Sequence, residues 1–90
     1  MKKRAGLNVT NHKGQTIAQL YNTIIFIREG NNIKLNSGGW RTNHTKNCIN
    51  DLLPARLHLY QKDFEWYLYD KINDHTINFE DNMSFECIGF

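Results

Sequence analysis

From Leu20 to Arg28 the chain is rich in β-branched and aromatic residues, and Glu29-Gly30-Asn31-Asn32 then supplies residues that tolerate a positive φ. This pattern predicts a hairpin whose second strand, Asn32 to Asn36, alternates Ile33 and Leu35 inward with Lys34 outward. Ser37-Gly38-Gly39 ends that strand, because paired glycines lose too much backbone entropy to sit inside a ladder without a local reason. Thr42 is placed as an N-cap, its hydroxyl accepting from a free amide in the first turn of a helix over about residues 43–53. Cys48, Ile49, Leu52 and Leu53 fall at i, i+1, i+4 and i+5, so they share one helical face, which should lie on the sheet. Pro54 lacks an amide donor and biases Leu53 out of the helical region, so the helix stops there.

Two further strands follow, Arg56 to Gln61 and Glu65 to Asp70, joined by a turn around Lys62-Asp63-Phe64. Period-two alternation puts Leu57 and Leu59 on one side and Arg56, His58 and Tyr60 on the other; in the partner strand Trp66 and Leu68 oppose Glu65, Tyr67 and Tyr69. Asn73-Asp74 marks a turn into a short strand with Ile77 and Phe79, Glu80-Asp81-Asn82 breaks it, and Met83 to Ile88 forms a last strand. The expected fold is α+β: a small antiparallel sheet in a ββαβββ-like meander, with one central helix on a face. Residues 1–16 carry few large apolar side chains and read as a flexible or edge-strand N-terminal arm, with Leu7 and Val9 in the edge strand. Residues 17–90 read as a single α+β domain.

Ninety residues support one hydrophobic core, and a domain of this size buries only about 60% of the surface of its unfolded chain. A deep substrate cleft is hard to build beside such a core, whereas an outer binding surface is not. A composition of 40% hydrophobic and 22% charged residues is that of a folded globular protein. The net charge of +2 neither implies a nucleic-acid partner nor allows a strongly acidic DNA mimic. The basic run Lys2-Lys3-Arg4 is read as a solvated tail, with an arm touching phosphate or an acidic protein surface as the alternative. No hydrophobic signal region follows it, so Cys48 and Cys87 are expected as free thiols, and the Asn-x-Thr sequons at Asn8 and Asn43 carry no weight. The longest apolar stretch, residues 23–27, is far short of the roughly 20 residues that span a bilayer, so no membrane partner is expected.

Candidate chemistry is incomplete at every place where it begins. His44 and Cys48, four apart on the helix, can share one ligand, but two ligands are not a site and no Cys-x-x-Cys or His-Glu-x-x-His spacing joins them. Ser37 lacks a Gly-x-Ser-x-Gly elbow, and His44 and Asp51 lie two helical turns apart, too far for a dyad. Glu80-Asp81 with Glu86 could hold a divalent ion for a nuclease, but the group reads as a solvated turn. The Gly38-Gly39 pair before a helix, with Arg41 beside it, resembles an anion cradle but has neither nucleotide-loop spacing, so it reads as a strand-to-helix corner with Trp40 as a packing anchor. We therefore expect no enzyme, cofactor or metal. The face formed by Arg56, His58, Tyr60, Tyr67 and Tyr69 interleaves cations with flat rings, which suits base stacking or a protein interface. The alternative is that the helix covers this side and leaves the tyrosines at the edge of the core.

At Asn36-Ser37-Gly38-Gly39-Trp40-Arg41-Thr42, continuing through Thr45-Lys46, Tyr60-Gln61-Lys62-Asp63-Phe64-Glu65-Trp66-Tyr67 and Phe79-Glu80-Asp81-Asn82-Met83, the chain resembles a family of small tailed-bacteriophage proteins with an Asn-Ser-Gly-Gly-Trp-x-Thr core. The resemblance covers roughly residues 20–83 and transfers no activity residue by residue. It implies action in the cytoplasm of a bacterial host cell, where small phage proteins often act stoichiometrically on host machinery, anti-CRISPR inhibitors of defence among them. Asn47 and Cys48 stand where basic residues are expected in the helix, which weakens helix-in-groove DNA binding. The expected function is thus non-enzymatic: binding and inhibition of a host protein or ribonucleoprotein complex through Trp40, Arg41, Lys46, Arg56, His58, Tyr60, Tyr67 and Tyr69. The alternative is direct binding of single-stranded or duplex nucleic acid, with Arg41, Lys46, Arg56 and the Lys2-Lys3-Arg4 arm on phosphates and the tyrosines on unstacked bases, and a metal-dependent nuclease comes third.

Overall fold

The computed structural model describes residues 4–87. The elements are β1 (Leu7–His12), β2 (Gln15–Leu20), β3 (Thr23–Glu29), β4 (Asn32–Leu35), α1 (Asn43–Leu52), β5 (Leu57–Lys62), β6 (Glu65–Asp70), β7 (His75–Asn78) and β8 (Met83–Glu86). They form two antiparallel sheets, one of five strands in the order β1-β2-β3-β4-β8 and one of three in the order β5-β6-β7. The fold is α+β with the helix between the two runs of strands, and the single expected sheet is in fact two. β8 returns to pair with β4, which places it beside the first half of the chain and separates it from β7.

The extra strands come from turns that residue type did not announce. The strand expected from Leu20 to Arg28 begins only at Thr23, because Tyr21 takes a left-handed φ of 53° and reverses the chain after β2. Lys13 and Gly14, both left-handed, close another two-residue hairpin, so that β1 pairs with β2 along its whole length. The sheet therefore starts at Leu7, and residue 17 falls within β2. Pairing of β2 with β3 shifts register after Ala18, leaving Ile25 as an extra residue, and both Ile25 and Phe26 are buried. A bulge of this kind lets two consecutive side chains enter the core.

α1 is capped as its sequence requires. The Thr42 hydroxyl accepts from the Thr45 amide at 3.2 Å, and the Leu53 amide donates to the Ile49 carbonyl at 3.0 Å before Pro54. The helix packs against β3 of the larger sheet and β5 of the smaller. Thr45 is buried, and Cys48 and Ile49 join one cluster with Ala18, Ile33 and Leu35 from one sheet and Leu59, Trp66 and Leu68 from the other. β5 is an edge strand, and its exposed edge is closed by a side chain. Asn50 donates from Nδ2 to the Leu59 carbonyl (2.8 Å), while its Oδ1 accepts from the Leu59 amide (2.7 Å). Arg4 reaches Asp51 from the N-terminal side through Nε (2.7 Å) and Nη2 (3.3 Å). Arg4 is thus tied to the helix, at variance with a solvated tail; Lys2 and Lys3 lie outside the described residues.

Candidate functional site

The corner between β4 and α1 is built from an acceptor and two glycines. Ser37 is buried, and both its amide (2.9 Å) and its hydroxyl (2.6 Å) donate to Asp81 Oδ1. Asp81, which the sequence offered as a metal ligand or part of a solvated turn, instead fastens the turn before β8 to this corner. Gly38 has a φ of 64°, and a Cβ there would lie 2.5 Å from Thr23 Cγ2, so backbone conformation and close approach both require glycine. The Trp40 amide donates to the Ser37 carbonyl at 3.0 Å, which turns the chain toward the helix.

Trp40 and Arg41 part at this corner. Arg41 carries its guanidinium carbon over the Phe79 ring (5.2 Å to the centroid) and the Trp66 ring (5.7 Å), so its cation rests on core aromatics. Trp40 turns outward and is 67% exposed. It does not anchor the core, as a packing role would require. It forms one side of a groove of about 390 Å³ whose lining also includes Tyr21, Ile25, Ser37, Thr45 and His44. Tyr21 is 64% exposed yet firmly held. Its amide donates to the Gly6 carbonyl (2.8 Å), its carbonyl accepts from Gln19 Nε2 (2.8 Å), and its ring lies so close to Gly6 that a Cβ there would sit 2.4 Å from Cε1. The His44 ring is tilted 45° to it at 6.5 Å, and His44 Nε2 donates to the Ala5 carbonyl at 2.7 Å.

The second surface is the outer face of the small sheet. Register pairs His58 with Tyr69 and Tyr60 with Tyr67, and the Tyr60 and Tyr67 rings stack at 5.5 Å and 30°. The core lies on the opposite face, with Leu57, Leu59, Trp66 and Leu68, so the helix does not cover the tyrosines, which are half-buried beside exposed His58. Tyr69 donates from its hydroxyl to Asp74 (2.7 Å), and that hydrogen bond pushes its phenol pKa up. Arg56 does not join this face. Asp70 stands opposite Leu57 on the core side and draws the guanidinium there, with Nη2 at 2.8 Å from Oδ2. The Arg56 hydrogen bond, with amide donors from Asn73 and Ile72, holds the Asp70 carboxyl down to about 2 against the opposing effect of burial. Lys46 projects from α1 and donates to Asn43 Oδ1 at 3.2 Å.

The expected binding residues thus separate into a corner with Trp40, a sheet face with His58, Tyr60, Tyr67 and Tyr69, and three cations, of which Arg41 and Arg56 are held by intramolecular partners. Two aromatic positions escaped the sequence reading. By pattern Tyr21 falls within the strand expected from Leu20 to Arg28, and Phe64 within an ordinary turn. Phe64 is 92% exposed at the β5–β6 tip, where it has a φ of 68° and Asp63 one of 53°. The only cue was an aromatic residue in a two-residue turn, a position that usually takes Gly or Asn.

Among the described residues no group of three or more His, Cys, Asp or Glu side chains is gathered for a metal. Cys48 and Cys87 are free and buried, and burial pushes the Cys48 thiol pKa up. His44 and Asp51, rejected above as a dyad, have separate partners in Ala5 and Arg4.

A family model described as Kyanoviridae Gp96 protein matches residues 2–86. The chain belongs to this phage protein family. The match runs through all eight strands and the helix, and takes in the N-terminal segment that the Asn-Ser-Gly-Gly-Trp resemblance left outside. No curated protein and no solved structure matches the chain. Among the described residues no helix of this Gp96-family chain is long and apolar enough to cross a membrane.

Proposed function

We propose that this phage protein is a non-enzymatic inhibitor that binds a host macromolecular complex in the bacterial cytoplasm, acting against host defence in the manner of an anti-CRISPR protein. The observation that carries the binding role is Phe64. A large aromatic ring stands almost wholly in water on a backbone conformation that disfavours it. Such a side chain contributes little to folding and suits an anchor in a partner's apolar pocket. Asp63 and Glu65 flank it, and their carboxylates oppose a phosphate-rich surface, which favours a protein partner. The tyrosine face would extend the contact from the same hairpin.

The test uses tagged chain and host lysate, with and without nuclease. A retained host complex should survive nuclease treatment and be lost with Phe64→Gly or Tyr67→Ser. Retention by both folded variants would show that the surface is misassigned. The second reading, direct nucleic-acid binding, is favoured by the stacked Tyr60–Tyr67 pair. It is weakened by the use of Arg4, Arg41 and Arg56 within the fold. It requires affinity that falls steeply with added salt, and a flat response would reject it.

A further inference from the structure

We propose that the groove between Tyr21 and Trp40 is a binding site for one nucleobase, taken from a free nucleotide or from an unpaired base of a single strand. The inference does not rest on the hairpin surface above, since the groove is built by the β2–β3 turn, the 37–42 corner and the start of α1. Its volume of about 390 Å³ admits a single heterocycle with part of its sugar. Two exposed aromatic side chains line it, and a base is the common ligand that presents a π-face to each.

Tyr21 is the better-fixed wall. Its left-handed backbone, its two main-chain hydrogen bonds and the bare Gly6 backbone beneath its ring set its position before any ligand arrives. Preorganisation of that kind is what a stacking wall needs. The polar side chains around the groove are neutral, from Asn22, Thr23, Ser37, Thr42 and Thr45, with His44 beside them, and the hydroxyls of Ser37, Thr42 and Thr45 are already engaged by Asp81 and by the helix cap. No carboxylate lines it, and Asp81, which reaches Ser37 of the lining, is taken up by that residue's amide and hydroxyl. A polyol offers a hydroxyl at nearly every carbon and needs many polar partners, which this mostly apolar lining does not provide. A flat ring with a few donors and acceptors on its edge fits it better, and Asn22 is the side chain suited to read that edge.

The protein reports on its own groove, because it has two tryptophans and Trp66 is buried. Adenosine, uridine, AMP and a short oligo-dT are titrated into the intact chain, and Trp40 emission is followed, with Trp40→Tyr locating the signal. Saturable quenching is expected for the nucleosides and AMP. Further tightening with oligo-dT assigns the source to a single strand, and its absence to a free nucleotide. Tyr21→Asn is the decisive variant, since asparagine tolerates the left-handed backbone and so removes the wall without threatening the fold. It should weaken binding roughly tenfold, the size of one base–aromatic stack. Absence of saturation with every probe, or binding unchanged in folded Tyr21→Asn, overturns the proposal. Equal or tighter binding of indole and p-cresol would also overturn it and assign the groove to an aromatic side chain of a protein partner.

Discussion

Replacement of Phe64 by glycine should make this protein more stable, which is unusual for the loss of a large apolar side chain. Phe64 sits at φ 68°, where an L-residue bears a penalty of roughly 1–2 kcal/mol from its Cβ. Glycine removes that penalty but brings about 0.5–1 kcal/mol of additional chain entropy to be lost on folding. The ring is 92% exposed, so almost no burial is forfeited. The balance is a gain of about 0.5–1 kcal/mol, equivalent to a rise in Tm of roughly 2–8 °C for a domain of this size. Thermal unfolding followed by circular dichroism measures it, and a raised urea midpoint with an unchanged m value shows the same gain in stability. Phe64→Ala is the control, because alanine discards the ring but keeps the Cβ at the same φ; it should gain nothing. A glycine variant less stable than the parent, or an alanine variant that gains as much, would refute the strain argument and with it the reason for assigning the ring to a partner.

Three other perturbations probe the frame around the two surfaces. Asp81→Ala leaves the buried amide and hydroxyl of Ser37 without an acceptor and should cost about 2 kcal/mol in chemical denaturation, whereas Asp81→Asn, which keeps an oxygen there, should retain most of that stability. Gly38→Ala should destabilise by at least about 1 kcal/mol through its left-handed φ, with a further loss from contact with Thr23 that Thr23→Ala relieves. Asp70 has its folded-state pKa lowered from 3.8 to about 2, chiefly by Arg56, so its contribution is complete above about pH 4 and is lost as pH falls toward 2. Asp70→Asn should therefore flatten stability against pH across that window.

Element type was readable wherever a local rule acted alone. The helix was bounded correctly because Thr42 and Pro54 act through their own backbone chemistry, and β5 and β6 were placed by alternation of Leu57, Leu59, Trp66 and Leu68. The division into two sheets was not readable, since it depends on β8 pairing with β4 across a long stretch of chain. Nor was the β2–β3 turn, because the Tyr21 amide is held by the Gly6 carbonyl from beside β1, a contact distant in the chain that turn propensity does not register.

The same division between local and long-range causes separates the parts of the site. Pattern alone identified the tyrosine face, because alternation decides which way a strand residue points. Pattern alone misjudged the cations, because charge and alternation do not reveal partners. Arg56 belongs by parity with His58 and Tyr60, yet Asp70 at the far end of β6 draws it to the core side. Arg41 looks like a free cation at a glycine corner, yet Phe79 and Trp66 converge beneath it only after three strands have been laid down. What remains of the candidate surfaces is chiefly aromatic, exposed in Trp40 and Tyr21 at the groove and Phe64 at the hairpin tip, and half-buried in Tyr60 and Tyr67. A surface of this kind depends on stacking and shape more than on long-range attraction, so recognition by it should vary little with ionic strength.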